Sequence, residues 1–338
     1  MDLKPALVRD WWRPHLTWRT ALLLPPAWLF GLAGALRRAL FAAGILRAVR
    51  LPVPVLVVGN LTLGGSGKTP LVIHLVAEFA RAGLNPGVVS RGYGADAASP
   101  GPREVLPDSS PQAVGDEPLL IRRAAGCPVY VCSDRPAAAR ALLAAHPDTG
   151  VIVADDGLQH YRLGRDYEIA VFDARGAGNG HLLPAGPLRE PLARAAGVDA
   201  VVANGGDAAG LPAYPMGLEN QPLYRLEAPA DTCALVDFAA RHGPRIAAVA
   251  GIGNPGRFFD TLRSAGLTPA EHRFDDHHAY RREDIAGIAE PVIVMTEKDA
   301  IKCAQFGDPR VWVAPVVARV DPRLIASILE KFRGPKAA

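Results

Sequence analysis

Val-Pro-Val-Leu-Val-Val-Gly-Asn-Leu-Thr-Leu-Gly-Gly-Ser-Gly-Lys-Thr-Pro, residues 53–70, decides the fold. The apolar run Val53–Val58 has the length and branching of a strand buried on both faces. A glycine-rich turn follows it, then Lys68-Thr69, then a helical spacing through Leu71, Leu75, Val76 and Phe79. Strand, glycine loop, Lys-Thr and helix in that order build a phosphate cradle. The amides of Gly64, Gly65, Ser66 and Gly67 can turn toward anionic oxygens where few Cβ atoms obstruct them. The helix N-terminus adds partial positive charge. Lys68 is placed to reach β- and γ-phosphates and Thr69 to hold Mg²⁺. The usual G-x-x-x-x-G-K-[ST] pattern has a glycine where this chain has Thr62. The stretch therefore predicts a nucleoside triphosphate site with an unusual entry to its loop.

Working outward, βα alternation predicts a parallel sheet with helices on both faces. Strands are expected at 87–93, 128–132, 150–154, 168–172 and 200–203, with helices at 117–125 and 135–145. Residues 95–115 read as a surface loop, with Asp116 as the N-cap of the helix after it. The pattern breaks around 205–235, where a linker or small antiparallel ribbon is expected. A second α/β unit begins at Arg245, with strands at 246–251, 291–295 and 311–317 and helices at 257–265 and 322–332. The predicted organisation is an N-terminal membrane-associated segment (1–50), a nucleotide-binding core (51–210), a ribbon (211–240) and a smaller C-terminal α/β domain (241–338).

Residues 1–50 differ in composition from the rest. They hold four of the five tryptophans, Trp11, Trp12, Trp18 and Trp28, and eight Lys/Arg against two Asp. That is +6, within a chain whose net charge is +3. The whole-chain charge gives no reason to expect nucleic acid as a partner. The uncharged run Ala21–Ala35 is shorter than the ~20 residues of a spanning helix, and Pro25-Pro26 interrupts it. Tryptophan at its edges with arginine beyond suits the surface of an anionic membrane. A helix packed on the core would read the same way. A cleaved signal peptide fits poorly, because the run starts late and Cys127, Cys132, Cys233 and Cys303 show no disulfide or zinc spacing.

Asp155-Asp156 follows a short apolar strand downstream of the loop, where an acid that holds Mg²⁺ is expected. Lys68, Asp155 and Asp173 should gather at the carboxyl ends of strands. Asp116 and Glu117 could orient a hydroxyl nucleophile or simply cap a helix. Asp275-Asp276-His277-His278 suggests one functional histidine, since neighbours on an extended segment point opposite ways. Thr296-Glu297-Lys298-Asp299 has some likeness to a guanine-reading element, with the wrong spacing.

Taken together, the chain resembles the tetraacyldisaccharide 4′-kinase family of lipid A biosynthesis. The resemblance rests on N-L-T-L-G-G-S-G-K-T-P (60–70), S-R-G-Y-G (90–94), V-G-D-E-P (114–118), D-D-G-L-Q-H (155–160), P-A-G-P-L-R-E-P (184–191), F-D-D-H-H (274–278) and T-E-K-D-A-I-K (296–302). It covers nearly the whole chain, and in it the Thr62 variant is the family's own. It implies transfer of the ATP γ-phosphate to the 4′-hydroxyl of an acylated glucosamine disaccharide 1-phosphate at the cytoplasmic face of the inner membrane. It further implies that Lys68, Thr69 and the loop residues from Thr62 hold ATP, with Gln159, His160 and Arg189 nearby. Asp155 and Asp156 are then the acids at Mg²⁺. Asp116 activates the sugar hydroxyl with His277 as partner, and Asn60, Arg91 and Glu117 face the acceptor. Two other classes share the loop: a GTPase or metallochaperone, and a membrane-docked nucleotide-binding regulator without transferase activity.

Overall fold

The computed structural model describes residues 3–92 and 101–333, with side chains described from residue 6. Tyr93, Gly94 and the start of the expected 95–115 loop lie outside the described residues. The strands in chain order are β1 (Val55–Gly59), β2 (Pro86–Ser90), β3 (Arg103–Glu104), β4 (Val129–Val131), β5 (Val151–Asp155), β6 (Tyr167–Asp173), β7 (Ala200–Asn204) and β8 (Tyr214–Asn220). They continue with β9 (Leu223–Arg225), β10 (Ala228–Cys233), β11 (Arg245–Ala250), β12 (Thr268–Arg273), β13 (Ile293–Thr296), β14 (Val311–Ala314) and β15 (Val316–Val320).

The first sheet runs β15-β8-β7-β6-β1-β5-β2-β4-β3. Its interior pairings, from β8 across to β4, are parallel, and β15 and β3 close its edges antiparallel. All five β1 residues are buried, as the unbroken apolar run requires of a strand covered on both faces. One face packs against helices Lys68–Arg81, Asp116–Ala125 and Pro322–Arg333 through Leu75, Phe79, Leu119, Ile121 and Ile328. The other packs against Arg135–Ala145 through Ala138, Ala139 and Leu142. The second sheet runs β10-β9-β14-β13-β11-β12, parallel from β14 to β12 and antiparallel at β9 and β10.

Several local expectations change. Asp116 is the first residue of its helix, and the cap is Gly115 at φ +91°, a conformation that a side chain would strain. The 95–115 segment contains β3 and a short helix, Pro111–Val114. Pro25-Pro26 opens helix Leu24–Ala42 instead of interrupting it, because the first helical turn needs no amide donor. The expected ribbon is β9 paired with β10, whereas β8 joins the first sheet. The apolar run 311–317 divides at Pro315 into β14 of the second sheet and β15 of the first. Helix Pro322–Arg333 follows β15 back, and its Ser327 hydroxyl meets the Tyr167 hydroxyl at 2.8 Å. The C-terminal stretch thus completes the first sheet.

Among the described residues no helix is long and apolar enough to cross a membrane. Helix Leu24–Ala42 buries Ala27 and leaves Trp28, Leu29, Leu32 and Leu36 exposed. The four cysteines are buried and none of them forms a disulfide among the described residues.

The second sheet is locked by Asp299. Its fully buried carboxylate accepts from the Gly251 amide (3.0 Å), the Thr296 hydroxyl (2.6 Å) and the Tyr280 hydroxyl (3.1 Å), and Lys302 Nζ lies 3.2 Å away. Asp299→Ala strands two buried donors, a half-buried hydroxyl and a buried ammonium. It should lower the unfolding free energy by ~3 kcal/mol or more. A denaturant-derived loss below ~1 kcal/mol would contradict this account.

Candidate active site

The glycine loop leaves β1 and enters helix Lys68–Arg81 with Gly64 at φ +93° and Gly67 at φ +89°. Thr62 is no substitute for a turn glycine. It is buried and forms an antiparallel bridge to Leu188. That extended geometry suits a β-branched residue, and the left-handed turns come later, where glycine stands. Asn60 Nδ2 donates to the Gly64 carbonyl at 3.1 Å, holding the loop from within. A Cβ on Gly67 would collide with Asn204, whose Nδ2 donates to the Ser66 carbonyl at 3.0 Å.

Beside the loop, Asp155 ends β5 and Asp156 follows at φ +48°. Asp156 accepts from Arg189 Nη1 at 3.0 and 3.1 Å, and Lys68 Nζ lies 3.6 Å from it. Burial opposes its charge, but Lys68 and Arg189 outweigh burial and hold the carboxyl below the usual range. Asp155 behaves oppositely. Burial, then the charges of Glu117 and Asp156, push its carboxyl up. One of its oxygens accepts from Ser90 at 3.2 Å, and the other, Oδ1, has no hydrogen-bond partner. Arg189 thus reaches an acid rather than open space. Gln159 donates to the Asn60 carbonyl (3.2 Å) and to Glu190 (3.3 Å), supporting the loop's entry. His160 has a half-buried ring whose pKa burial pushes down to about 4. Arg91, after β2, is exposed.

Across the cleft, the structure brings Asp116 and His277 together. His277 Nδ1 lies 3.1 Å from both Asp116 oxygens. His277 occupies a left-handed φ of +63°, a strained conformation that aims its ring at the first sheet's helix. Asp116 also accepts from the Glu117 amide at 2.9 Å, within the helix's first turn, where negative charge is favoured. Lys298 Nζ bonds Glu117 and Asp276, each at 2.9 Å, and lies 3.3 Å from His277 Nε2. Lys302 Nζ stands 3.7 Å from Asp116. These lysines were not singled out as site residues in the sequence. Their signal was the i, i+4 spacing inside T-E-K-D-A-I-K, which puts both on one helix face. His278 turns away to Asp284 at 3.1 Å. Thr296 caps the helix Glu297–Cys303, so this motif serves the second sheet and the cleft rather than a guanine base.

A cavity of about 230 Å³ runs from the glycine loop to Glu117 and Lys298, and Asp116, His277 and Lys302 line a smaller one. Lys68, Thr69, Glu117 and Lys298 line the larger cavity's polar end, and Leu223, Leu235, Ile252 and Phe258 line its apolar end. A triphosphate at the glycine loop would leave its base among the apolar residues.

The family model for LpxK, tetraacyldisaccharide-1-phosphate 4′-kinase, matches residues 19–333. This chain belongs to that family. It is 50% identical to the tetraacyldisaccharide 4′-kinase of Janthinobacterium sp. (strain Marseille), over 98% of this chain and 97% of the relative. It is also 50% identical to that of Chromobacterium violaceum, over 96% and 97%. A crystal structure of Aquifex aeolicus LpxK in complex with ATP superposes with a TM-score of 0.77 at 29% identity, covering 93% of this chain and 99% of that one. The two-sheet α/β architecture described above is therefore that of tetraacyldisaccharide 4′-kinases.

The electrostatics of the Asp116–His277 pair have a sign that can be checked. Burial disfavours the imidazolium, but the Asp116 hydrogen bond reverses this and raises the His277 pKa. Burial also disfavours the Asp116 carboxylate, but His277 and Lys298 outweigh it and lower that pKa. The His277 contribution to stability is full below the free imidazole value and fades as pH rises through the raised folded value. The Asp116 contribution fades only as pH falls through its lowered one. In Asp116→Asn, burial and Lys298 face only the weaker opposing charge of Asp276 among the causes that act on this ring, so the His277 midpoint followed by NMR should fall below the free-imidazole value of ~6.5. An unchanged midpoint would show that Asp116 does not control it.

Proposed function

We infer that this chain transfers the γ-phosphate of ATP to the 4′-hydroxyl of a tetraacyl glucosamine disaccharide 1-phosphate, giving the bisphosphorylated lipid A precursor. One observation carries the assignment of roles: Asp116 is bonded to His277, and its neighbour Glu117 lines the cavity whose other wall is the glycine loop with Lys68 and Thr69. A sugar hydroxyl is a weak nucleophile at neutral pH. Asp116, held ionised, is suited to accept its proton, and His277 Nδ1, donating to Asp116 at 3.1 Å, orients that carboxylate. Lys68 and the loop amides offset charge on the transferred phosphoryl group. A GTPase reading loses its guanine element, because Asp299 is spent on Gly251, Thr296 and Tyr280, and Lys298 on Glu117 and Asp276.

The residues present fit Mg²⁺. Among the described residues no group of three or more His, Cys, Asp or Glu could hold a metal alone. Magnesium is typically bound by one or two carboxylates together with substrate phosphates. Asp155 offers a buried oxygen without a hydrogen-bond partner, and Thr69 and Asp156 would complete the protein's share. The ion would neutralise phosphate charge there. Replacing Asp155 or Asp156 by Ala should each lower kcat by at least ~100-fold. Near-normal turnover in both variants would remove them from the metal's coordination.

The exposed Trp18, Leu22, Trp28, Leu29 and Leu32, beside Arg19, Arg37 and Arg38, support binding at the cytoplasmic face of the inner membrane. There the acyl chains can stay in lipid while the headgroup enters the cleft.

The kinase reading is tested by phosphate transfer from ATP with and without the lipid acceptor. Asp116→Ala and His277→Ala should each cost roughly 10²–10⁴-fold in kcat. The double variant should be little worse than the more damaged single, because groups acting as a unit are non-additive. ATP affinity should hold in all three, and His278→Ala should be mild. Losses that multiply in the double variant would rule out the pair's acting as one unit.

A further inference from the structure

Arg175 occupies a junction that the reaction scheme does not use. It lies just past β6, and Asp173 at the end of that strand fixes it. Arg175 Nε donates to Asp173 at 2.9 and 3.1 Å and Nη2 at 2.5 Å. The outward donors then bridge the cleft. Nη2 reaches the Gly65 carbonyl of the glycine loop, and Nη1 reaches the Gly253 carbonyl of the loop after β11, both at 3.2 Å. These two loops touch, since a Cβ on Gly253 would collide with the Gly65 amide. The face of the same guanidinium lies 4.0 Å from the ring centroid of Trp12. Trp12 follows the first helix, Leu3–Trp11, and its neighbour is pinned: Trp11 Nε1 donates to the Pro184 carbonyl (3.0 Å), and the Asn179 amide donates to the Trp11 carbonyl (2.8 Å).

One side chain therefore touches the N-terminal aromatic segment, the end of a central strand, the phosphate loop and the second sheet's loop. A planar fork with a π face can serve all four at once, and an ammonium cannot. We propose that Arg175 is a positioning residue that couples the seating of the N-terminal segment, through Trp12, to the shape of the phosphate loop and hence to ATP binding. Trp12 meets the phosphate cradle through this guanidinium, whose Nη2 holds the Gly65 carbonyl. Its removal therefore reaches ATP by way of Arg175. This inference rests on the kinase reading only in using ATP as the probe.

The test is a double-mutant cycle on the full chain, read as ATP dissociation constant without lipid and as KM for ATP with lipid. Trp12→Leu keeps apolar bulk and removes the π face. It should weaken ATP about 3- to 10-fold, the scale of a partly buried cation–π contact, with kcat at saturating ATP within about twofold. Trp12→Phe should recover most of the affinity. Arg175→Lys should weaken ATP at least as much, and Trp12→Leu on that background should add nothing further. Thermal melting of each variant separates a folding defect from a binding one. Unchanged ATP affinity in a Trp12→Leu protein that melts like wild type would overturn the coupling, as would effects that multiply in the double variant. Wild-type protein that binds ATP but transfers no phosphate would defeat the kinase reading while leaving the coupling measurable.

Discussion

The site depends on acids at the start of one helix being answered from the other sheet. Asp116 and Glu117 open helix Asp116–Ala125 on the first sheet. Their partners, His277 and Lys298, follow β12 and β13 of the second. Neither acid could be buried at low cost alone, since an unpaired buried carboxylate is expensive. Each sheet therefore supplies half of a charge balance, and catalytic geometry and cleft geometry become the same constraint. Asp299 extends it inward. By holding Gly251, Thr296 and Tyr280 together, it fixes the helix that carries Lys298 and Lys302.

The two aspartates at the end of β5 show how environment divides identical side chains. Asp156 faces Lys68 and Arg189 and stays ionised. Asp155 is buried beside two other acids, and its proton affinity rises. A divalent cation reverses this penalty for Asp155. The pair thus supports the proposed Mg²⁺ site, where a cation would arrive along with phosphate.

The phosphate loop, the strands that follow it and the helix at 135–145 were legible because an apolar run bounded by glycine has few alternatives in a parallel sheet. The meeting of Asp116 with His277 followed from motif resemblance, since their 161-residue separation leaves no local trace. Three things were hidden. The division of 311–317 at Pro315 looks like one strand, because both halves are apolar and differ only in which sheet they join. The explanation of Thr62 lies in a bridge to Leu188, far along the chain. Arg175 carries no motif, and its importance arises from four contacts that only the folded chain assembles.

The return of β15 and helix Pro322–Arg333 to the first sheet has a consequence for how the molecule is made. The sheet that holds the phosphate loop lacks an edge strand and a covering helix until residues 316–333 have been synthesised. Before that, Phe79 and Tyr167, which meet Phe332 at 6.1 and 6.5 Å between ring centroids, lack their aromatic partner. Contacts between such distant parts of a chain form slowly. The nucleotide core therefore cannot complete its sheet before residues 316–333 emerge from the ribosome. The chain must protect an incomplete, partly apolar sheet until residues 316–333 arrive, which makes that stretch a checkpoint for the nucleotide core.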